Sequence, residues 1–329
     1  MAREGSGRMK YLHIVPGADD VANGMARVAR LLAKEQGDAE VVDLSAVSGQ
    51  LLAVSEGSES LGFVESLEEV WVHGMWLPKE WAICRRVIKA GKRLVRMTHG
   101  SLSPVYLKNQ SPIKKWLVGP IERYWFRKAD RIVATCDAEK AWIEAYLGKK
   151  CPEIVVEDVK RFYNLKWEKG SGKWEKGREC GEVDSNNKKL NVLYLGRRHP
   201  LKGVEYLEKA VDEINDDSRS RESKLNSGIG NFSNVECLSA HCSTSTSNID
   251  AKKIDLRIVS GAKGDELEKV WDWCDVLVLP TLSENFGLVV AEALERGKMV
   301  ITTDGAPAWG ELGKREVGKG KGELGRERM

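Results

Sequence analysis

The strongest constraint on this chain is an alternation that runs twice. The runs KYLHIV (from Lys10), EVVDL (from Glu40), EEVWVHG (from Glu68), RLVRMTHG (from Arg93), RIVATC (from Arg131) and PEIVVEDV (from Pro152) are short, apolar and β-branched, as strands are. Between several of them lie segments with apolar residues at helical spacing, such as GMARVARLLAKEQG from Gly24. Strands that alternate with helices pair in parallel and are covered on both faces. From LNVLYLG onward the pattern restarts, with DLRIVSG, DVLVLP and KMVITTD as further strands. The expectation is α/β: two Rossmann-like parallel-sheet units, which 329 residues can supply at about 100–200 residues per domain.

The stretches that break the alternation set the expected boundaries. Residues 1–163 form the first domain, and residues 164–189, rich in Gly, Lys and Glu, the linker. Residues 190–312 form the second domain, with a polar, Ser/Asn-rich insertion at 216–254 expected to be disordered on the surface. Residues 313–329 hold almost no apolar side chains and are expected to fray. The leader MAREGSGR has no apolar h-region, and no run of about 18 apolar residues occurs. Neither a secretory signal nor a membrane span is therefore expected. Seven cysteines, an odd number without Cys-x-x-Cys, fit a reduced cytoplasm. Cys237, His241 and Cys242 lack the second ligand pair of a structural zinc site, so no metal is expected. A net charge of +3 gives no argument for nucleic acid.

Two motifs in the second half carry chemistry. In LGRRHPLKG a strand ends at Gly196, and Arg197, Arg198 and Lys202 precede a helix opening near Gly203. Fixed cations at a carboxyl strand end, beside a helix N-terminus, suit a diphosphate; a solvated basic turn is the other reading. In PTLSENFGLVVAE another strand ends and another helix begins, with Ser283 or Asn285 expected to cap it. Asn285, Phe286, Gly287 and Leu288 then offer backbone N–H groups at the positive helix end, and Glu284 stands ready to accept from sugar hydroxyls. Glu292 lies among Leu288, Val289, Val290, Ala291, Ala293 and Leu294. A carboxylate buried there needs partners, which ribose hydroxyls would supply; on the residues alone, an exposed helix stripe is equally open.

In the first half the signals are weaker. PGADDVANGMA joins a strand to a helix through Gly17 and Gly24, without a G-x-G-x-x-G pattern. His99 ends a strand and precedes Gly100. In residues 111–131, Lys114, Lys115, Arg123, Arg127, Lys128 and Arg131 outnumber Glu122 and Asp130 and mix with Trp116, Tyr124, Trp125 and Phe126. The aromatics are expected to pack into the core; docking on an anionic membrane surface is the second reading. RNA binding would need a recognition module that the sequence lacks.

Taken in order, these pieces resemble the GT-B glycosyltransferases, and among them the retaining family 4. GRRHPLKG is similar to that family's G-R-x-x-x-x-K-G clamp, and SENFGLVVAE to its E-x7-E signature. The resemblance implies two Rossmann-like domains facing across a cleft, and more chain after the E-x7-E helix than stands here, so the second domain is expected to be truncated. It implies a catalytic and donor-binding set of His99, Arg197, Lys202, Glu284, Asn285, Phe286, Gly287, Leu288 and Glu292, with Asn23 and Gly24 near the diphosphate. Arg197 and Lys202 would neutralise the diphosphate, Glu284 hold the sugar and Glu292 the ribose. His99 would contact the sugar near its reacting carbon.

The activity implied is metal-independent hexosyl transfer, without a cofactor, from a nucleotide-diphosphate sugar to a glycan, lipopolysaccharide or other lipid-linked acceptor. The protein is expected in the cytoplasm; on the second reading of residues 111–131 it is peripheral on the inner face of the plasma membrane. A GT-B nucleotide-sugar epimerase and a truncated, inactive sugar-nucleotide-binding protein are the alternatives.

Overall fold

The computed structural model describes residues 10–20, 23–47, 67–163, 165, 189–226 and 253–313, with the side chains of 217–226 and 311–313 outside that description. The leader, the linker, the tail beyond 313, most of the insertion and the group Cys237, His241 and Cys242 lie outside the described residues. Two compact units emerge. The first gathers the described residues through Leu165 with Thr281–Glu295 and Thr303–Ala308; the second gathers those from 189 to Pro280 with Arg296–Thr302 and the residues from Trp309.

In chain order the first unit holds β1 (Tyr11–Val15), α1 (Gly24–Gln36), β2 (Ala39–Asp43), β3 (Glu69–His73), α2 (Pro78–Lys89), β4 (Arg93–Met97), α3 (Pro104–Lys108), α4 (Gly119–Phe126), β5 (Arg131–Ala134), α5 (Asp137–Leu147) and β6 (Glu153–Val156). Its sheet is parallel throughout, in the order β2-β1-β3-β4-β5-β6. The central strands are buried because helices cover both faces; every residue of β3 is buried, Glu69 and His73 included. In α1, Ala26, Val28, Ala29, Leu32 and Ala33 recur at helical spacing and form its buried face. Each fully buried residue such as Leu94 or Ile132 contributes about 1.5–3 kcal/mol. An exposed ion pair such as Arg161–Glu35 contributes about 0–1 kcal/mol, so the apolar core dominates.

The second sheet comprises β7 (Lys189–Leu195), β8 (Lys253–Val259), β9 (Val276–Leu279) and β10 (Met299–Thr302). It is also parallel, in the order β10-β9-β7-β8. Between these strands run α6 (Val204–Asn226), α7 (Gly264–Trp273) and α8 (Leu288–Glu295). Buried Leu193, Tyr194, Leu277 and Trp271 form the core of the second unit. All ten strands overlap the runs read from the sequence, with β2 and β7 starting one residue earlier and β8 two residues earlier.

Three expectations change. The insertion does not open disordered at 216, because α6 stays helical to Asn226. The Asn215 side chain accepts from the Ile254 amide (2.9 Å) and donates to the Ile254 carbonyl (3.0 Å), so it clamps the return of the chain. In residues 111–131, Phe126 is buried and Trp125 packs on the core, but Trp116 is 81% exposed and Ile113, Leu117 and Tyr124 also face solvent. Trp116 and Leu117 lie in a π-type turn at Lys114–Val118. The helix expected from Ser283 or Asn285 begins only at Leu288, as set out below.

One polar cluster is buried in the first core. Arg96, in the middle of β4, lies with its guanidinium 3.6 Å from carboxylate oxygens of both Glu80 and Glu122. It donates to the Gly74 carbonyl and to the Cys84 sulfur, each at 3.0 Å, and stacks over Phe126 at 4.2 Å. Burial outweighs the attraction of Arg96 and pushes the Glu80 carboxyl up to about 8.

Candidate functional site

In an open parallel sheet, ligands bind at the carboxyl ends of strands where the chain order reverses. In the second sheet that point lies between β7 and β9. Gly196 closes β7, and the exposed Arg197 follows, its carbonyl accepting from the Tyr194 hydroxyl at 2.9 Å. Arg198 does not join it, because its guanidinium is paired with Glu208. His199 caps the short turn Pro200–Lys202, which leaves Lys202 half-buried. Gly203 ends that turn in a left-handed conformation (φ 64°), and a Cβ there would overlap the Pro280 carbonyl. Glycine is therefore required both for the turn and for the contact between the two strand ends.

The E-x7-E segment sits in the first unit. Its start is not a capped helix: α8 begins at Leu288, after Gly287 at φ 70°. Neither expected cap residue caps it, because both side chains are engaged elsewhere. The Ser283 and Ser103 hydroxyls share a hydrogen bond of 2.7 Å, and the Asn285 side-chain amide lies 3.0 Å from the Thr135 hydroxyl. Glu284 donates its backbone N–H to the Gly305 carbonyl (2.7 Å), and its carboxylate accepts from the Asn285 amide (3.2 Å). Of the four amides expected at a helix start, that of Asn285 is thus occupied by Glu284. Phe286 is buried.

Glu139, near the start of α5, organises the surface on which Asn285 sits. Its carboxylate accepts from the Thr98 hydroxyl (2.5 Å), the Gly100 amide (2.6 Å) and both the amide and hydroxyl of Thr135 (2.8 Å each). Four donors offset the cost of burying that charge. They also fix the ends of β4 and β5 against each other.

Glu292 is not on a solvent stripe. It is 7% exposed, and its carboxylate is paired with Arg27 of α1. Tyr163 is nearby; burial, with Glu292 adding to it and Arg27 opposing it, pushes its hydroxyl up to about 12. The sequence motif could not show Arg27, which lies 265 positions away.

His99 sits after β4 with φ 50°, uncommon for a non-glycine residue. It ends a row of three histidines. His73 Nδ1 lies 2.8 Å from His99 Nε2, His13 Nδ1 2.9 Å from His73 Nε2, and Gln36 Oε1 2.8 Å from His13 Nε2. Trp71 stacks on His13. Burial lowers all three rings, His13 to about 4 and His99 to about 3, so the row is neutral at physiological pH.

The loop after β1 is shaped by Asn23. Its side chain caps α1 through the Met25 amide (3.0 Å) and donates to the Pro16 (2.7 Å) and Gly17 (3.1 Å) carbonyls. The Asn23 side chain therefore holds the loop rather than reaching outward. Gly24 opens α1 with clear space where a Cβ would stand. Beside this loop, Pro16, Gly17, Asp43, Ser45, Leu77 and Lys79 line a cavity of about 400 Å³.

A solved structure carries the same architecture: Anabaena HepE in complex with UDP-glucose, 15% identical, covering 89% of this chain and 80% of that one, at a TM-score of 0.51. At that identity the likeness speaks for the fold alone, which is GT-B, with two Rossmann-like parallel-sheet domains. At the sequence level, the family model described as glycosyl transferases group 1 matches residues 178–320, a range that includes both second-half motifs. Over 186 residues the chain is 26% identical to an uncharacterized 41.2 kDa protein in the cps region of Klebsiella pneumoniae, covering 56% of this chain and 45% of that one. Over 141 residues it is 30% identical to an uncharacterized glycosyltransferase of Methanocaldococcus jannaschii, covering 43% and 32%. The chain spans less than half the length of these curated relatives.

Proposed function

We propose that this chain is a glycosyltransferase that moves a hexose from a nucleotide-diphosphate sugar to a glycan, lipopolysaccharide or glycolipid acceptor, with retention of configuration and without a metal ion. One observation carries the reading. The family match spans GRRHPLKG and SENFGLVVAE together, and each motif follows the carboxyl end of a strand of one parallel sheet, β7 and β9. The UDP-glucose held by the Anabaena protein supports a nucleotide-sugar donor. The cps-region relative supports a setting in polysaccharide biosynthesis.

In this reading Arg197 and Lys202 neutralise the diphosphate as the glycosidic bond breaks. A glycosyl transition state is oxocarbenium-like, and charge builds on the departing group. Fixed cations act most where that charge develops, which is the part a metal takes elsewhere. Glu284 and the backbone of Asn285, Phe286, Gly287 and Leu288 bind the sugar and phosphate. Glu292, aligned by Arg27, takes the ribose. His99 contacts the sugar, and Gly24 leaves the diphosphate side open while Asn23 fixes the loop. The cavity lined by Gly17 and Asp43 suits a hydroxyl-bearing acceptor.

Residues 111–131 dock on an anionic membrane surface in this reading. Exposed Trp116, Leu117 and Ile113 stand beside Lys114 and Lys115. Tyr124, Arg127, Lys128 and Lys150 line a separate notch of about 370 Å³ that suits a phosphate headgroup. Among the described residues no helix is long and apolar enough to cross a membrane. The protein then works at the cytoplasmic face of the plasma membrane as a peripheral enzyme.

A thermal-shift panel of UDP-, GDP- and ADP-sugars tests the reading, followed by turnover with the best binder. Release of nucleoside diphosphate only when an acceptor is supplied is the expected result. If no nucleotide sugar raises the melting temperature, the reading fails.

A further inference from the structure

The histidine row has a direction, and its direction sets what His99 can bind. A neutral imidazole carries one N–H and one lone pair, so each ring in the row donates on one side and accepts on the other. Gln36 presents Oε1 to His13, and a carbonyl oxygen only accepts. His13 must then carry its proton on Nε2 and accept at Nδ1. His73 donates from Nε2 to that atom and accepts at its own Nδ1. His99 donates from Nε2 to His73. What remains is the lone pair on His99 Nδ1, which has no hydrogen-bond partner among the described residues. The row has only one other polarity, in which the Gln36 amide is turned and every ring holds its proton on Nδ1. All three tautomers reverse together or not at all.

We propose that Gln36, His13 and His73 are positioning residues that hold His99 as its Nε2–H tautomer, so that Nδ1 meets the ligand only as a hydrogen-bond acceptor and selects a sugar hydroxyl over a carboxylate. The proposal rests on the sugar-binding reading of His99 given above. A hydroxyl can donate to Nδ1, whereas a carboxylate brings a second acceptor against it and leaves both unpaired. The row also resists becoming a cation that could pair with a carboxylate. The buried rings repel one another's charge, and Arg96 adds to that repulsion at His73. Nor is this a metal site, because each lone pair but the last is spent on the next ring instead of converging on one point. Trp71, stacked on His13, keeps the first ring in plane for its partners.

The chain has only five histidines, so long-range ¹H–¹⁵N correlation on histidine-labelled, full-length protein can resolve the tautomers directly. The expected result is Nε2–H with an unprotonated, acceptor-type Nδ1 on His13, His73 and His99 at neutral pH. Protons on Nδ1, averaged tautomers or a cationic ring in the row would overturn the proposal. A second arm measures donor turnover. Gln36→Leu, which removes the fixed acceptor, is expected to lower kcat/KM about tenfold. Gln36→Glu, which still only accepts, is expected to restore it. Equal loss in both variants would also overturn the proposal. The two readings can fail separately: absence of any nucleotide-sugar binding removes the function while the tautomer result stands, and turnover with the opposite tautomers removes the positioning role alone.

Discussion

Gly100 and Asn285 approach so closely that a Cβ on the glycine would stand 2.8 Å from the Cβ of the asparagine. Gly100 also has φ 74°, where L side chains are strained. Gly100→Ala therefore meets two penalties. The backbone strain alone costs about 1–3 kcal/mol, and the contact adds to it. Chemical denaturation should show that loss, and donor turnover should fall with it. A variant as stable and active as the parent would mean that this contact does not hold the E-x7-E segment in place.

At Gly203 the contact dominates the dihedral. Asparagine tolerates the left-handed region better than alanine does, but it brings the same Cβ toward the Pro280 carbonyl. Gly203→Asn is thus expected to be about as damaging as Gly203→Ala, by about 2 kcal/mol or more. A clear rescue by asparagine in denaturant melts would point to the backbone angle instead.

The two glutamates of SENFGLVVAE should separate by ligand. Glu292→Ala is expected to weaken binding of the nucleoside diphosphate itself about tenfold or more. Glu284→Ala should weaken chiefly the sugar-bearing donor. Arg27→Met leaves the buried Glu292 carboxylate without its guanidinium and should resemble Glu292→Ala. Titration calorimetry with both ligands distinguishes these outcomes, and equal losses for both ligands in both glutamate variants would contradict the assignment.

Stability should fall on both sides of a middle pH range. The unfolded chain protonates histidine near 6.5, but His13 and His99 resist until about 4 and about 3. Between those values the unfolded state binds more protons, so stability is lost as pH falls through that window. Glu80 works the other way. Its folded carboxyl keeps its proton up to about 8 while the unfolded one releases it near 4.5, so its contribution is full below 4.5 and lost as pH rises to about 8. Melting temperature against pH should flatten on the acid side in His13→Asn and on the alkaline side in Glu80→Gln. Unchanged profiles in both would contradict these causes.

The exposed ridge before α4 gives a separable prediction. Trp116→Glu, or Lys114→Glu with Lys115→Glu, should reduce sedimentation with vesicles containing phosphatidylserine and leave binding of a soluble nucleotide sugar unchanged. Neutral vesicles should bind the parent weakly. Undiminished binding of the variants to anionic vesicles would remove the docking role.

The sheets were legible from sequence because buried parallel strands leave short, uninterrupted apolar runs, as in VLVL of β9. The places of the two motifs were legible because each follows a strand end, β7 and β9. What holds them was not. Glu139 reads as an ordinary first-turn acid of a helix, and its donors lie up to 41 positions away. His13 and His73 look like strand interior, and only the β1–β3–β4 order sets them in line with His99. The start of α8 was misread because Ser and Asn before an apolar run are ordinary caps, and their long-range partners cannot be seen locally. Trp116 was misread for the reverse reason: an aromatic among cations has the same composition whether it turns inward or outward.

The four hydrogen bonds on Glu139 make the ends of β4 and β5 a shared node. Thr98, Gly100 and Thr135 do not contribute as independent residues, because each donor presupposes the carboxylate that the others hold in place. Once one donor is lost, part of the value of the remaining donors is already gone. Their substitutions will therefore not be additive, and double-mutant cycles should find coupling between β4 and β5 that no direct contact between those side chains accounts for.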